Sequence, residues 1–370
     1  MAIRRFRNRR PRLLAPSRIL RPTVRQTGGG RDREELVEAA RDAIRQGGRT
    51  LAFASRRLDK ATRERAWLLY AWCRRCYDIA EGKEFRTRPE DADDAQNIAQ
   101  AIRVLTRRAL DGEPTADPAF DAFGQVAHET GLTLQMAEDA IEGFALDAAG
   151  WRPHSEADLI RYCYHSAGAI GVMAAHVVGA REDDEDILDR AFDLAVAFEL
   201  AQIAVDVCED DAEDRCYLPL EWLAEADIPP GEAMKPVYRR QLVTLVARLI
   251  DLAEAYELSG RQVTERLRFR QRWAVLTAAN IYMTLARKVR ERGAAAWDHR
   301  VTISLFERLG AAFRAFMEAL DAPLPADKPP YSRGQVLLAV RMAGPVAPIP
   351  MTPLRDEEVR PEPSVTEDDL

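Results

Sequence analysis

Ala191 to Glu209 reads AFDLAVAFELAQIAVDVCE, and Asp210 and Asp211 follow directly. Apolar residues take most of the circumference of the helix this stretch encodes. Glu199, Gln202, Asp206 and Asp210 recur at spacings of three, four and four and therefore share one face. A helix apolar on nearly every side belongs in an interior, and so does its line of oxygens. Arg65 to Glu81 (RAWLLYAWCRRCYDIAE) repeats the arrangement: Tyr70, Arg74, Tyr77, Asp78 and Glu81 fall on one face of a helix otherwise built from Trp67, Leu68, Leu69, Ala71, Trp72, Cys73, Cys76 and Ile79. An isolated buried carboxylate costs several kcal/mol even after relaxation, so these acids need cationic partners. Two arrangements remain open at this level. A hard divalent ion can bridge carboxylates of two facing helices and a substrate phosphate, with Arg74 and Arg215 on the phosphate oxygens. Alternatively, an internal salt-bridge network joins Arg74 to Asp206 or Asp210.

Working outward, the chain from Arg33 to about Leu320 is rich in Ala, Leu, Arg and Glu, with few glycines or prolines and almost no alternating β-type run. This predicts an all-α fold: one bundle of roughly ten helices over residues 32–325. Helix starts are marked by Asp59 and by Ser155 with Asp158 three residues on, and breaks fall at Gly150 to Pro153, Pro219 and Pro229 to Gly231. The chain has 370 residues, 47% of them hydrophobic, enough for a large core. Five cysteines do not make a disulfide framework and point to free thiols in a reducing compartment. The net charge of −7 is unevenly spread, because residues 1–31 hold ten arginines and no acid, which leaves the rest at about −17. An acidic body argues against nucleic acid as a partner. The basic arm, residues 1–31, is expected to be disordered and suited to an anionic membrane surface or to targeting. Gly344 to Leu370, with six prolines and seven acids, reads as a second disordered tail. The most apolar window, Ser166 to Ala180, has 15 residues, short of the roughly 18–20 a spanning helix requires. Cytoplasmic location with peripheral membrane contact is the expectation. Cys73 and Cys76 form a C-x-x-C inside a continuous apolar helix, which is poor context for a zinc or redox site.

Four strings then occur in order: YAWCRRCYDIAE (Tyr70 to Glu81), RYCYHSAGAIGVM (Arg161 to Met173), DVCEDDAEDRCYLP (Asp206 to Pro219) and AWDHR (Ala296 to Arg300). In this the chain resembles the bacterial phytoene synthases of the squalene and phytoene synthase family, from about Gly48 to Ala322. The resemblance implies an isoprenoid-synthase-type helical bundle around a central apolar cavity. It also implies head-to-head condensation of two prenyl diphosphates through a cyclopropyl intermediate to phytoene, in carotenoid biosynthesis. Geranylgeranyl diphosphate (C20) is the favoured substrate and C15 the alternative; Mg²⁺ is the implied cofactor, with Mn²⁺ able to replace it, and NADPH is not expected. By the same resemblance Asp206 and Asp210 match the second aspartate motif, D-x-x-x-D, as metal ligands. Arg74 matches an arginine on a diphosphate, and Tyr162 and Tyr164 match tyrosines near the reacting carbons. Arg215 and Tyr217 belong to the RCYLP box, Trp297 to the box that caps the cavity, and Thr50, Tyr70, Glu199 and Gln202 to substrate-facing positions. Ala167, Gly168, Ala169 and Gly171 would allow close approach of helices and prenyl chains.

The departures from the family pattern cluster at the charges. Its first motif, D-D-x-x-D, is here Tyr77, Asp78, Ile79, Ala80, Glu81, so a phenol stands where the first ligand belongs, and a neutral phenol is a poor Mg²⁺ ligand. Thr50 and Leu51 replace a Ser-Phe pair, Glu199 and Gln202 replace a Gln and an Asn, and Val205 replaces an Arg. Two functions follow. One is a prenyltransferase whose modified first metal site is built from Asp78 and Glu81. The other is a paralogue that binds prenyl diphosphate or a partner enzyme without condensing anything.

Overall fold

The computed structural model describes residues 26–82, 92–181, 183–321 and 328–343. Among these residues there are fourteen α-helices and no strand. In chain order they are α1 (Arg33–Gly47), α2 (Arg49–Ser55), α3 (Lys60–Ala80), α4 (Ala92–Leu110), α5 (Pro118–Thr130), α6 (Leu134–Ala148), α7 (Glu156–Cys163), α8 (Ala169–Val178), α9 (Glu185–Ala212), α10 (Leu220–Glu225), α11 (Arg239–Gly260), α12 (Phe269–Arg292), α13 (Leu305–Glu318) and α14 (Arg333–Ala343). The all-α reading holds. The count exceeds ten because short pieces such as α2 and α10, of seven and six residues, carry too little periodicity to be read as separate helices. Both anticipated starts are present: the Asp59 carboxylate accepts from the Thr62 amide at 3.1 Å, and Ser155 and Asp158 form a reciprocal capping box.

The longest helix, α9, is the spine. Phe192, Val196, Ala197, Leu200 and Ala204 on it are wholly withdrawn from water, and each large side chain so buried stabilises the fold by about 1.5–3 kcal/mol. On one side α9 joins α7, α11 and α12 in a core that includes Trp222, Leu249 and Tyr256. A second core is made by α1, α3, α4, α5, α6 and α8 around Trp72, Phe120, Phe123 and Ile141. Trp72 stacks on Phe123 with ring centroids 4.4 Å apart and donates from Nε1 to Thr106 Oγ1 at 3.1 Å. Gly171 lets α8 lie directly on α9: a Cβ there would come within 2.5 Å of the Ala195 Cβ. Gly260 does the same for α11, where a Cβ would meet the Leu194 backbone nitrogen at 2.5 Å. The small residues after Tyr164 thus serve helix packing, and the Ser166 to Ala180 window divides into a π-helical turn (Tyr164–Gly168) and α8.

Two boundaries move. Residues 26–31, expected to end the basic arm, pack on the body: the Gln26 amide donates to the Gly112 carbonyl at 2.7 Å and Arg31 bridges Asp121 at 2.9 Å. The body also continues past 325, since α14 buries Val336, Arg333 bridges Asp189 at 2.7 Å, and the Tyr256 hydroxyl donates to the Tyr331 carbonyl at 2.8 Å. The remainder of the arm, 1–25, and the tail, 344–370, lie outside the described residues. No helix among the described residues is long and apolar enough to cross a membrane.

Candidate active site

A cavity of about 340 Å³ lies where the two cores meet, between α3 and α9. From α3 come Tyr70, Cys73, Arg74 and Tyr77; from α9 come Glu199, Gln202, Ile203, Asp206 and Asp210; Phe144, Asp147, Tyr162, Ser166, Ile170 and Tyr217 complete the lining. The α9 stripe read from helical spacing and the Tyr70, Arg74 and Tyr77 part of the α3 stripe therefore face one another across this space.

The charges pair differently from the network considered at the outset. Arg74 bridges Asp78, one turn along its own helix, at 2.8 Å. Asp206 takes Arg300 at 2.6 Å and a short hydrogen bond from Gln202. Arg215 reaches Glu81 at 3.0 Å and lies 3.7 Å from Asp210. These guanidinium groups leave the carboxylate cluster under-neutralised. Desolvation, with repulsion from Asp206 and Glu199, pushes the Asp210 carboxyl up to about 7 despite Arg215. Desolvation and the Asp147 charge likewise push Glu199 up to about 7. Asp147 itself is raised by desolvation to about 6, although it accepts from Tyr162 Oη at 2.7 Å and Tyr217 Oη at 3.0 Å. Loss of water, aided by the Asp147 and Glu81 charges, raises the Tyr77 phenol far above its ordinary value, so it stays neutral.

Several sequence-predicted residues stand outside the cavity lining. Tyr164 points the other way, because two residues along a helix is a rotation of roughly 200°, and its hydroxyl donates to Asp139 at 2.6 Å. Thr50 sits on α2. Trp297 lines a separate pocket with Val243, Val246 and Val289. Asp78 is turned toward Arg74, while Glu81 and Arg215 meet at the edge of the lining shell. Sequence reasoning passed over Asp147 and Arg300. Asp147 carried a usable signal, a carboxylate near the end of the mostly apolar α6; Arg300 lay inside a quoted string but was given no role.

The donor set fits a hard divalent ion on the α9 wall. Asp206 and Asp210 are oxygen donors one turn apart, both face the cavity, and the charge excess around them favours a cation. Among the described residues no group of three or more His, Cys, Asp or Glu side chains converges into a cage. The α3 wall fits less well, since its leading position is the neutral Tyr77 phenol.

Fold and cavity define the class, an isoprenoid-synthase-type helical bundle with an acid-lined central cavity. The squalene/phytoene synthase family profile matches residues 44–307. The chain is 39% identical over 282 residues to the phytoene synthase of Pseudescherichia vulneris, covering 76% of this chain and 91% of that one. It is 34% identical to the 15-cis-phytoene synthase of Pantoea ananas, over 80% and 95% of the two chains. Among solved structures, a dehydrosqualene synthase in complex with ligand superposes with a TM-score of 0.68 at 22% identity, covering 76% of this chain and 96% of that one. A squalene synthase from Alicyclobacillus acidocaldarius gives 0.60 at 22% identity, over 72% and 98%. The chain belongs to the squalene/phytoene synthase family, whose members use divalent metal ions.

Proposed function

We infer that this protein is a prenyltransferase that joins two geranylgeranyl diphosphates head to head, by way of a cyclopropyl intermediate, to give phytoene with loss of two diphosphates and two protons. Relatives named phytoene synthases, 34–39% identical over most of both chains, support this reading. The observation that carries it is the pair Asp206 and Asp210, sharing one cavity with Arg74. Asp206 and Asp210 would hold Mg²⁺, or Mn²⁺ in its place, which neutralises the departing diphosphate when bound. Arg74 in the lining, and Arg215 beside it at 3.7 Å from Asp210, donate to phosphate oxygens once they exchange their carboxylate partners. Phe144, Ile170 and Ile203 give the prenyl chains an apolar wall. Asp147 fixes the hydroxyls of Tyr162 and Tyr217, holding both phenol rings in the cavity wall. No reductant enters, so NADPH is not required. Cytoplasmic location and membrane contact through the arginine arm complete the proposal.

One observation favours a second reading, in which prenyl diphosphate binds without condensing: Tyr77 supplies no charge where a ligand is expected, and Arg215 already holds Glu81. Incubation of the purified chain with geranylgeranyl diphosphate and Mg²⁺, with the C15 diphosphate in parallel, separates the two. Diphosphate release with a C40 hydrocarbon product, abolished in Asp206→Ala, is the expected result. Prenyl-ligand binding with release no greater than in Asp206→Ala would establish the second reading.

A further inference from the structure

Helix α13 carries its large apolar side chains on the outside. Ala311, Ala312, Ala315 and Ala319 face inward and are buried, whereas Phe306 is 85% exposed, Phe313 66% and Leu305 62%. Leu309, Met317 and Leu320 are also exposed. Positions 305, 309, 313, 317 and 320 are separated by four, four, four and three, so they form one stripe. Phe316 extends it, lying edge-on to Phe269 and Trp273 with centroids 5.5 and 5.3 Å away.

Arginines dominate the rim. Arg266, Arg268 and Arg270 are exposed around Phe269, Arg57 stacks 5.2 Å from the Trp273 ring, and Arg314 is exposed on α13 itself. Of the acids nearby, Glu307 is paired with Lys288, and Glu318, though exposed, is held by Arg261 at 2.9 Å and Asn280 at 3.1 Å, which leaves Glu265 and Asp321 as exposed acids without such a partner to offset the arginines. We propose that this face, α13 with Phe269, docks the protein on an anionic lipid surface. A helix with Phe and Leu on one side and a basic rim seats at the boundary between headgroups and acyl chains. A second copy is a poor occupant, because two-fold pairing of the stripe would bring the same arginines toward each other. The inference stands apart from the catalytic reading and from residues 1–25, and most of α13 lies beyond the residues matched by the family profile.

The test is co-sedimentation of the full chain with phosphatidylcholine vesicles, with and without phosphatidylglycerol, comparing wild type, Phe306→Ser/Phe313→Ser, and the control Val237→Ser/Leu258→Ser, which removes exposed apolar groups elsewhere. Circular dichroism and melting temperature establish that each variant is folded. Wild type should bind the anionic vesicles. The α13 variant should lose roughly tenfold or more in affinity, given the transfer free energy of two phenyl groups, and the control should stay within about twofold. Absent wild-type binding, unchanged binding by the α13 variant, or an equal loss in the control would overturn the proposal. So would a dimer in sedimentation velocity that the α13 variant dissociates while vesicle binding persists.

Discussion

Moving from pH 8 to pH 6 should weaken divalent-cation binding about tenfold. The effect originates in the carboxyls of the α9 wall. With Asp210 raised to about 7, it is ionised in about ten molecules of eleven at pH 8 and about one in eleven at pH 6. A cation must displace that proton, so its apparent affinity drops about tenfold between the two pH values, and further if the Glu199 carboxyl, also near 7, is engaged. At cation concentrations above both dissociation constants, a tenfold change is about 1.4 kcal/mol of stabilisation, or about 2 °C in melting temperature for a chain this large. The cation-free protein should show the opposite trend. Carboxyls whose folded pKa lies above the unfolded value favour the folded state most at low pH. Stability should therefore fall as pH rises from about 4 toward about 7. Differential scanning calorimetry with Mg²⁺ or a chelator at the two pH values reads both effects. An equal Mg²⁺ increment at pH 6 and pH 8, or an undiminished increment in Asp206→Asn/Asp210→Asn, would refute the reasoning.

Tyr77→Asp should lower the melting temperature in chelator, because it adds an anion beside Asp147 and Glu81 at a cost of about 2–3 kcal/mol, and should show a larger Mg²⁺ increment than wild type in the same calorimeter. Arg215→Met leaves Glu81 without its 3.0 Å partner and should destabilise the protein by about 3–5 kcal/mol; in urea denaturation Glu81→Gln added to it should recover part of that loss. Gly260→Ala forces a methyl onto the Leu194 backbone and should cost about 1–3 kcal/mol, visible as a lower urea midpoint with an unchanged slope.

What could be read from sequence was local or periodic. The stripe from Glu199 to Asp210 and the first three members of the stripe from Tyr70 to Glu81 face one cavity because helical spacing sets which side chains share a face, while Asp78 and Glu81 fall outside the lining. The caps at Asp59 and Ser155 were legible because each involves residues only three apart. Partner choice was not legible: the reading looked across helices for Arg74, and the structure gives it Asp78 one turn away, while Asp206 finds Arg300 94 residues on. The resemblance assigns Tyr162 and Tyr164 the same role, yet only Tyr162 lines the cavity. The outward stripe of α13 escaped notice for another reason. Amphipathic spacing reveals that a helix has an apolar face, and only the packed structure shows that alanines took the inner one.

The same tyrosines have a mechanical consequence. Tyr162 and Tyr164 clasp α6 at Asp147 and Asp139, eight residues apart, and His165 Nδ1 meets the Asp139 carbonyl at 2.9 Å. Sliding α6 by one turn would break every one of these fastenings together, so that helix is pegged in register as a fixed jamb. Any narrowing of the chamber around a guest must then come from its other walls.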